Sequence, residues 1–246
     1  MDREIMDEAT SELWQAGFND FFKKGGFSSD QKKRKAPRIE VGVNLTDLGN
    51  AKRLVSEPGR DIRFCYPWGK WIIWNGQYWE QDEGGEIYRR AKDVIRVILR
   101  EASEEKDDKR RKALEAHSLR CESQNKLIAM IKLAESEVPI LPQEFDRDPW
   151  LFNTQNGTVY LLDGSLQAHD RDDFISKICP VEFDPHATCP LWDAHLVKVM
   201  GGNQNLIAFL QRWFGYCLTG NIDERCMTIF YGTGANGKTI TVETVS

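Results

Sequence analysis

The residues with the clearest capacity for chemistry lie near the C-terminal end of the sequence. Gly232-Thr-Gly-Ala-Asn-Gly-Lys-Thr239 has the spacing G-x-x-x-x-G-K-T, that of a phosphate-binding loop. Each fixed position has a physical reason. Gly232, Gly234 and Gly237 admit backbone angles and a close approach that a Cβ would block. Their N–H groups can then turn inward toward phosphate oxygens. Lys238 would reach the β- and γ-phosphates as a point charge, and the Thr239 hydroxyl would bind Mg²⁺. The expected nucleotide-binding set is therefore Gly232, Thr233, Gly234, Ala235, Asn236, Gly237, Lys238 and Thr239, with the metal at Thr239. No catalytic residue is assigned.

A loop of this kind needs an apolar strand before it and a helix after it. Cys226–Tyr231 reads as a short buried strand, and the residues from about Gly237 can form a helix whose N-terminal end adds positive potential. The sequence ends at Ser246, seven residues after Thr239. A complete P-loop NTPase uses further strands that carry an acid for Mg²⁺, a group that positions water and any arginine finger. The expectation is that none of these lies in this chain, and that it hydrolyses little nucleotide by itself.

Other constellations are weaker. Cys179, His186, Cys189 and His195 match no zinc-ligand spacing and read as ordinary packing residues. Asp170, Asp172, Asp173 and Asp184 form an acidic cluster that reads as turn caps and surface charge. No Ser/His/Asp or Cys/His arrangement for nucleophilic catalysis stands out.

A chain of 246 residues suits one large domain or two modest ones, and its 41% hydrophobic content supplies a substantial core. The net charge of −5 carries no global nucleic-acid signature, so any DNA contact would rest on local basic patches. Six cysteines without a C-x-x-C pair fit reduced thiols rather than a disulfide framework. The N-terminus is charged and lacks an apolar signal region, and no apolar run approaches membrane-spanning length. The sequence therefore predicts a soluble, cytoplasmic protein without membrane partners.

In chain order, residues 2–22 read as a helix. A linker follows, with seven basic residues and one acid between Lys23 and Arg38. It reads as a solvated tether, with a DNA-backbone contact and a nuclear signal as the alternatives. Thr46 can cap a helix through Leu54, stopped by Pro58-Gly59. Asn75-Gly76 between two aromatic runs predicts a hairpin with Trp71 and Ile73 on one face and Ile72 and Trp74 on the other. Its aromatics read as core rather than as a base-stacking platform. Helices follow from Glu86, with an apolar stripe of Ile87, Ala91, Val94, Ile95, Ile98 and Leu99, and then from about Ala113 to Ala134. The charged stretch Glu104–Lys112 reads as a solvated helix or helix connection. Asp163-Gly164 predicts a second hairpin. Leu191–Val199, opened by Pro190, and Leu206–Leu218, stopped by Gly220, read as helices.

Several of these stretches together resemble the phage and plasmid primase-helicase family, whose motor is a superfamily 3 helicase. They are Thr46–Val55, Lys70–Trp79, Asn156-Gly157 with the Asp163-Gly164 hairpin, Pro180–Pro185, Cys189-Pro190, Leu210–Gly220 and Tyr231–Thr239. The resemblance covers roughly residues 44 to 246. It implies an α+β fold: a helix-rich N-terminal domain with small β-hairpins, followed by the start of a P-loop α/β ATPase domain of AAA+-like type. The implied divisions are an N-terminal helix and basic linker at 1–42, a poxvirus-type primase-helicase N-terminal domain at 43–188, and the start of the superfamily 3 ATPase domain at 189–246. Only the P-loop, Gly232 to Thr239, carries over as site residues.

The implied activity is ATP- and Mg²⁺-dependent DNA unwinding in phage or plasmid replication, with single-stranded DNA as partner and self-association into a ring. The chain would then be the N-terminal part of such a helicase, shortened just after the P-loop, and roughly forty residues upstream are too few for a primase domain. The alternative is a non-catalytic DNA-binding or oligomerisation module left by that shortening. A small-molecule P-loop kinase is set aside because more than two hundred residues precede the loop.

Overall fold

The computed structural model of the chain describes residues 44–56, 60–232, 234 and 236–245. The helix expected at 2–22, the basic run between Lys23 and Arg38, the Pro58-Gly59 stop, and Thr233 and Ala235 of the loop lie outside those residues. What is described is a mixed α+β structure with seven α-helices and two small sheets. It divides into two compact units. The first holds the described residues up to Arg147 together with His169–Lys177, and the second holds Asp148–Ala168 and the residues from Ile178 onward.

The first unit begins with α1 (Asp47–Leu54). The Thr46 hydroxyl accepts from the Gly49 N–H at 3.1 Å, the expected N-cap. Strands β1 (Ile62–Cys65), β2 (Lys70–Trp74) and β3 (Trp79–Gln81) then form an antiparallel run, with Trp74 opposite Trp79. The predicted hairpin is present. Its turn is longer than Asn75-Gly76 alone, because the Asn75 side chain accepts from the N–H groups of Gln77 and Tyr78 at 2.9 and 3.0 Å. Three helices follow: α2 (Glu86–Glu104), α3 (Asp108–Cys121) and α4 (Gln124–Ala134). They return the chain to β4 (Pro139–Ile140), which joins β1 in parallel and completes the order β3-β2-β1-β4.

Glu104–Lys112 is the helix connection anticipated from its mixed charge: α2 ends at Glu104, and the Asp107 carboxylate caps α3 through the Lys109 and Arg110 N–H groups. The start of α2 is capped by a residue outside the helix. Asp82 accepts from the Glu86 and Ile87 N–H groups at 2.7 and 2.9 Å, because Gly85 takes a left-handed conformation (φ 72°) and has no side chain to do so.

Both faces of the four-stranded sheet are buried. Ile62, Phe64, Trp71 and Ile73 pack with Leu54, Ala91, Ile98 and Met130 from the helices. Cys65, Ile72, Trp79 and Ile140 pack with Phe145, Trp74 and Phe174 on the other face. The alternation predicted for residues 71–74 therefore holds, and it makes the tryptophans core residues. On α2 the buried stripe is Ile87, Ala91, Val94, Ile95, Ile98 and Ala102. Leu99 is exposed: one step beyond Ile98 turns it about 100° away from the sheet.

The second unit opens with the antiparallel meander β5 (Leu151–Thr154), β6 (Gly157–Tyr160) and β7 (Ser165–Gln167). The Asp163-Gly164 turn sits where expected. The Asp163 carboxylate accepts from the Ser165 N–H at 2.9 Å, which with the Ser165 side chain lowers the Asp163 pKa, and Gly164 takes φ 72°. Asn156 explains why the later Pro180–Pro185 stretch accompanies this hairpin. Its amide donates to the Phe183 carbonyl and accepts from the Phe183 N–H, both at 2.9 Å, standing in for a paired peptide. A Cβ on Gly157 would overlap the Gln167 carbonyl oxygen, so the residue beside Asn156 must be glycine.

Helices α5 (Pro190–Val199), α6 (Gln204–Leu218) and α7 (Lys238–Val245) complete the unit. Leu196, Ile207 and Leu210 form a small core with Trp192, Met200, Phe214 and Phe230 against it. The Cys226–Tyr231 strand is corrected by the structure. The segment forms no ladder, and Met227, Ile229 and Tyr231 are 80%, 69% and 91% exposed. A strand exists only where a neighbour takes its N–H and C=O groups, and no partner strand lies beside this one among the described residues. No helix among the described residues is long and apolar enough to cross a membrane.

Candidate functional site

The loop that the sequence singles out closes onto the first turn of α7. Gly232 and Gly237 both take positive φ, 151° and 81°, in the region that disfavours side chains. A Cβ on Gly232 would overlap the Asn236 amide and stand 3.8 Å from Lys238 Nζ. The Lys238 ammonium crosses this interior. It donates to Asn236 Oδ1 at 2.7 Å and to the Gly232 carbonyl at 3.2 Å. One positive charge is thus held between the first residue of the motif and its fifth.

Thr239, exposed, lies in the first turn of α7 beside Lys238. Gly234 is also exposed. Of the eight expected site residues, the structure therefore brings Gly232, Asn236, Gly237 and Lys238 together, with Thr239 next in the helix. The glycine cradle, the ammonium and the helix start fit a phosphate chain with its Mg²⁺.

The outer side of the loop is fixed by residues the motif does not include. A Cβ on Gly237 would overlap Val199 Cγ1 and fall 3.0 Å from His195 Cε1, so the loop rests directly on α5. His195 Nε2 lies 3.0 Å from the hydroxyl of Thr241, which is 1% exposed, and that hydroxyl donates to the Gly237 carbonyl at 3.0 Å. The His195 ring stacks on Trp192 with centroids 5.7 Å apart and planes 20° apart. A helix-spaced pair, His195 and Val199, was the available sequence signal, but nothing in the sequence tied it to residues some forty positions later.

Two other groupings have reactive residue types. In the first unit, Asn50 Nδ2 donates to Cys121 Sγ at 3.0 Å, and His117 Nε2 lies 3.0 Å from Asn50 Oδ1 and 3.4 Å from Cys121 Sγ. These are the residue types of a nucleophilic triad. Asn50, His117 and Cys121 are 0%, 5% and 1% exposed, which closes them to any substrate and makes them a buried polar stitch between α1 and α3. Burial also pushes the His117 pKa below its ordinary value, reinforced by the Arg53 and Arg120 charges.

The second grouping is Arg63, whose guanidinium lies 5.1 Å from the Trp79 ring centroid and 5.5 Å from that of Phe174. Its pKa is lowered by burial, against the opposing pull of Asp172 and Asp61. Asp170 caps the short turn Arg171–Asp173, whose Arg171 pairs with Asp61. Among the described residues, no group of three or more His, Cys, Asp and Glu is placed to hold a metal ion.

With this geometry in hand, a family model described as D5 N terminal like matches residues 51–201. The chain belongs to that family. These are the N-terminal domains of D5-like primase-helicase proteins. The matched range begins in α1, takes in both sheets and α2 to α4, and ends just past α5. The Trp-rich hairpin, the Asn156–Phe183 clasp and the α5 face beneath Gly237 all lie within it, whereas Gly232–Thr239 lies beyond it. No curated protein matches the chain.

Proposed function

We propose that the chain is the N-terminal part of an ATP-dependent DNA helicase of the primase-helicase type, acting in phage or plasmid replication, with ATP and Mg²⁺ bound at Gly232–Thr239. The observation that carries this reading is the Lys238 ammonium spanning the loop between Gly232 and Asn236 at the start of α7. Membership in the D5 N-terminal-like family supports the replication context. Bound ATP would supply the phosphoryl-transfer free energy that drives movement along DNA. This chain's own residues would do four things: the glycines admit the phosphates, backbone N–H groups donate to them, Lys238 balances their charge, and Thr239 offers its hydroxyl to Mg²⁺. Single-stranded DNA is the proposed partner, with self-association into a ring.

Calorimetric titration with ATP and Mg²⁺ tests the first half. One site per chain is expected, weakened at least about tenfold in Lys238→Ala, the equivalent of losing one charge-assisted contact. Equal binding by both proteins would remove the loop from the account. Anisotropy of a labelled single-stranded oligonucleotide tests the second half. Affinity should fall steeply as salt rises, because phosphate contacts release counterions. The seven cations between Lys23 and Arg38 favour a second reading, a non-catalytic DNA-binding or oligomerising module. DNA binding and ring formation with no nucleotide binding would favour it.

A further inference from the structure

We infer that His195 is a positioning residue for the phosphate loop, acting through Thr241 on Gly237; the inference rests on the reading of Gly232–Thr239 as a nucleotide site.

A threonine hydroxyl has one hydrogen to donate. That of Thr241 goes to the Gly237 carbonyl, 3.0 Å away. The contact with His195, also 3.0 Å, therefore runs the other way: His195 Nε2 carries a hydrogen and donates it to Thr241 Oγ1. The Gly237 carbonyl also accepts from the Thr241 N–H at 3.0 Å, so two bonds from one residue hold the last loop carbonyl before α7. Fixing that carbonyl fixes the peptide plane it shares with the Lys238 N–H, since the plane is rigid. The direction of that N–H, one of those available to a phosphate, is thereby set from outside the loop.

His195 is itself held. Its ring stacks on Trp192, which packs against the Leu196–Ile207–Leu210 core. Val199, one helical turn further along α5, fills the space a Cβ on Gly237 would need. A continuous set of contacts thus runs from the small core of the second unit through Trp192, His195 and Thr241 to the backbone of the loop. Gly237 has two reasons to be glycine: its φ of 81° and the closeness of α5.

The test uses the whole chain and equilibrium binding of ATP with Mg²⁺, with a melting temperature recorded for each variant. His195→Phe keeps a ring against Trp192 and removes the donor. Thr241→Val keeps the shape and removes the hydroxyl. Each should weaken ATP binding about tenfold, and the double variant should bind no more weakly than either single one, because both changes break one relay. His195→Gln, which can still donate, should restore affinity to within about threefold of the original. A purely structural role would instead lower the melting temperature and leave the dissociation constant in place. Unchanged affinity in His195→Phe and Thr241→Val, beside a loss in Lys238→Ala, overturns the role of His195 alone. Failure of the unaltered chain to bind, or binding indifferent to Lys238→Ala, overturns the nucleotide site and this inference with it.

Discussion

Trp79 and Tyr231 both belong to segments whose sequence reads as strand, and they end in opposite environments. Trp79 is 1% exposed, and its indole N–H donates to the Arg171 carbonyl at 2.8 Å. Tyr231 is the most exposed large apolar residue described. The difference is pairing rather than composition. Residues 62–81 bring their own partners through two short turns, and β4 adds a third ladder. Both faces of the resulting sheet then meet side chains from elsewhere in the unit. Cys226–Tyr231 has a comparable run of apolar residues and no neighbouring strand among the described residues; Phe230 is its one member packed against a core. Apolar pattern proposes a strand, and only a partner makes one.

That contrast can be broken by substitution. The largest effect is expected for Trp79→Ala, which empties the second face of the sheet and removes the bond to Arg171. Urea unfolding should show a loss of about 3–5 kcal/mol. A loss below about 1 kcal/mol would mean that this face contributes no more than an exposed strand.

Next comes Asn50→Leu, which leaves His117 and Cys121 buried without their shared partner and should cost about 1–3 kcal/mol. A smaller, pH-dependent effect belongs to His117. Because its folded pKa is depressed, the unfolded chain takes up the proton first. Its contribution to stability is therefore complete above the ordinary histidine pKa of about 6.5 and is lost as pH falls below it. Unfolding midpoints measured across that range should drop on acidification, and His117→Gln should flatten that part of the slope. Smallest of all, Ile229→Thr in this chain should change unfolding by less than about 0.5 kcal/mol, since its side chain lies 69% in solvent. A core-sized loss there would show that the segment is paired after all.

Local signals were legible because their causes are local. The Thr46 cap, the turns at Asn75 and Asp163, the break at Asp107 and the alternation of residues 71–74 all follow from neighbours within a few positions. The G-x-x-x-x-G-K-T spacing of the loop is local in the same sense. Contacts across long sequence separations were not. Asn156 clasping Phe183 and Asn50 joining Cys121 depend on where the chain returns. His195 was weighed as one of four metal-ligand types. Its actual neighbours, Thr241 and Gly237, become visible only once α5 lies beside the loop.

The doubly covered sheet lies in the first unit, and the proposed nucleotide loop, braced by α5, lies in the second. Hydrogen–deuterium exchange with and without ATP and Mg²⁺ tests this most directly. New protection is expected at residues 232–241 and on the α5 segment around His195 and Val199, with the amides of β1, β2 and α2 unchanged. Protection confined to the first unit, or none at residues 232–241 at saturating ATP, would contradict it.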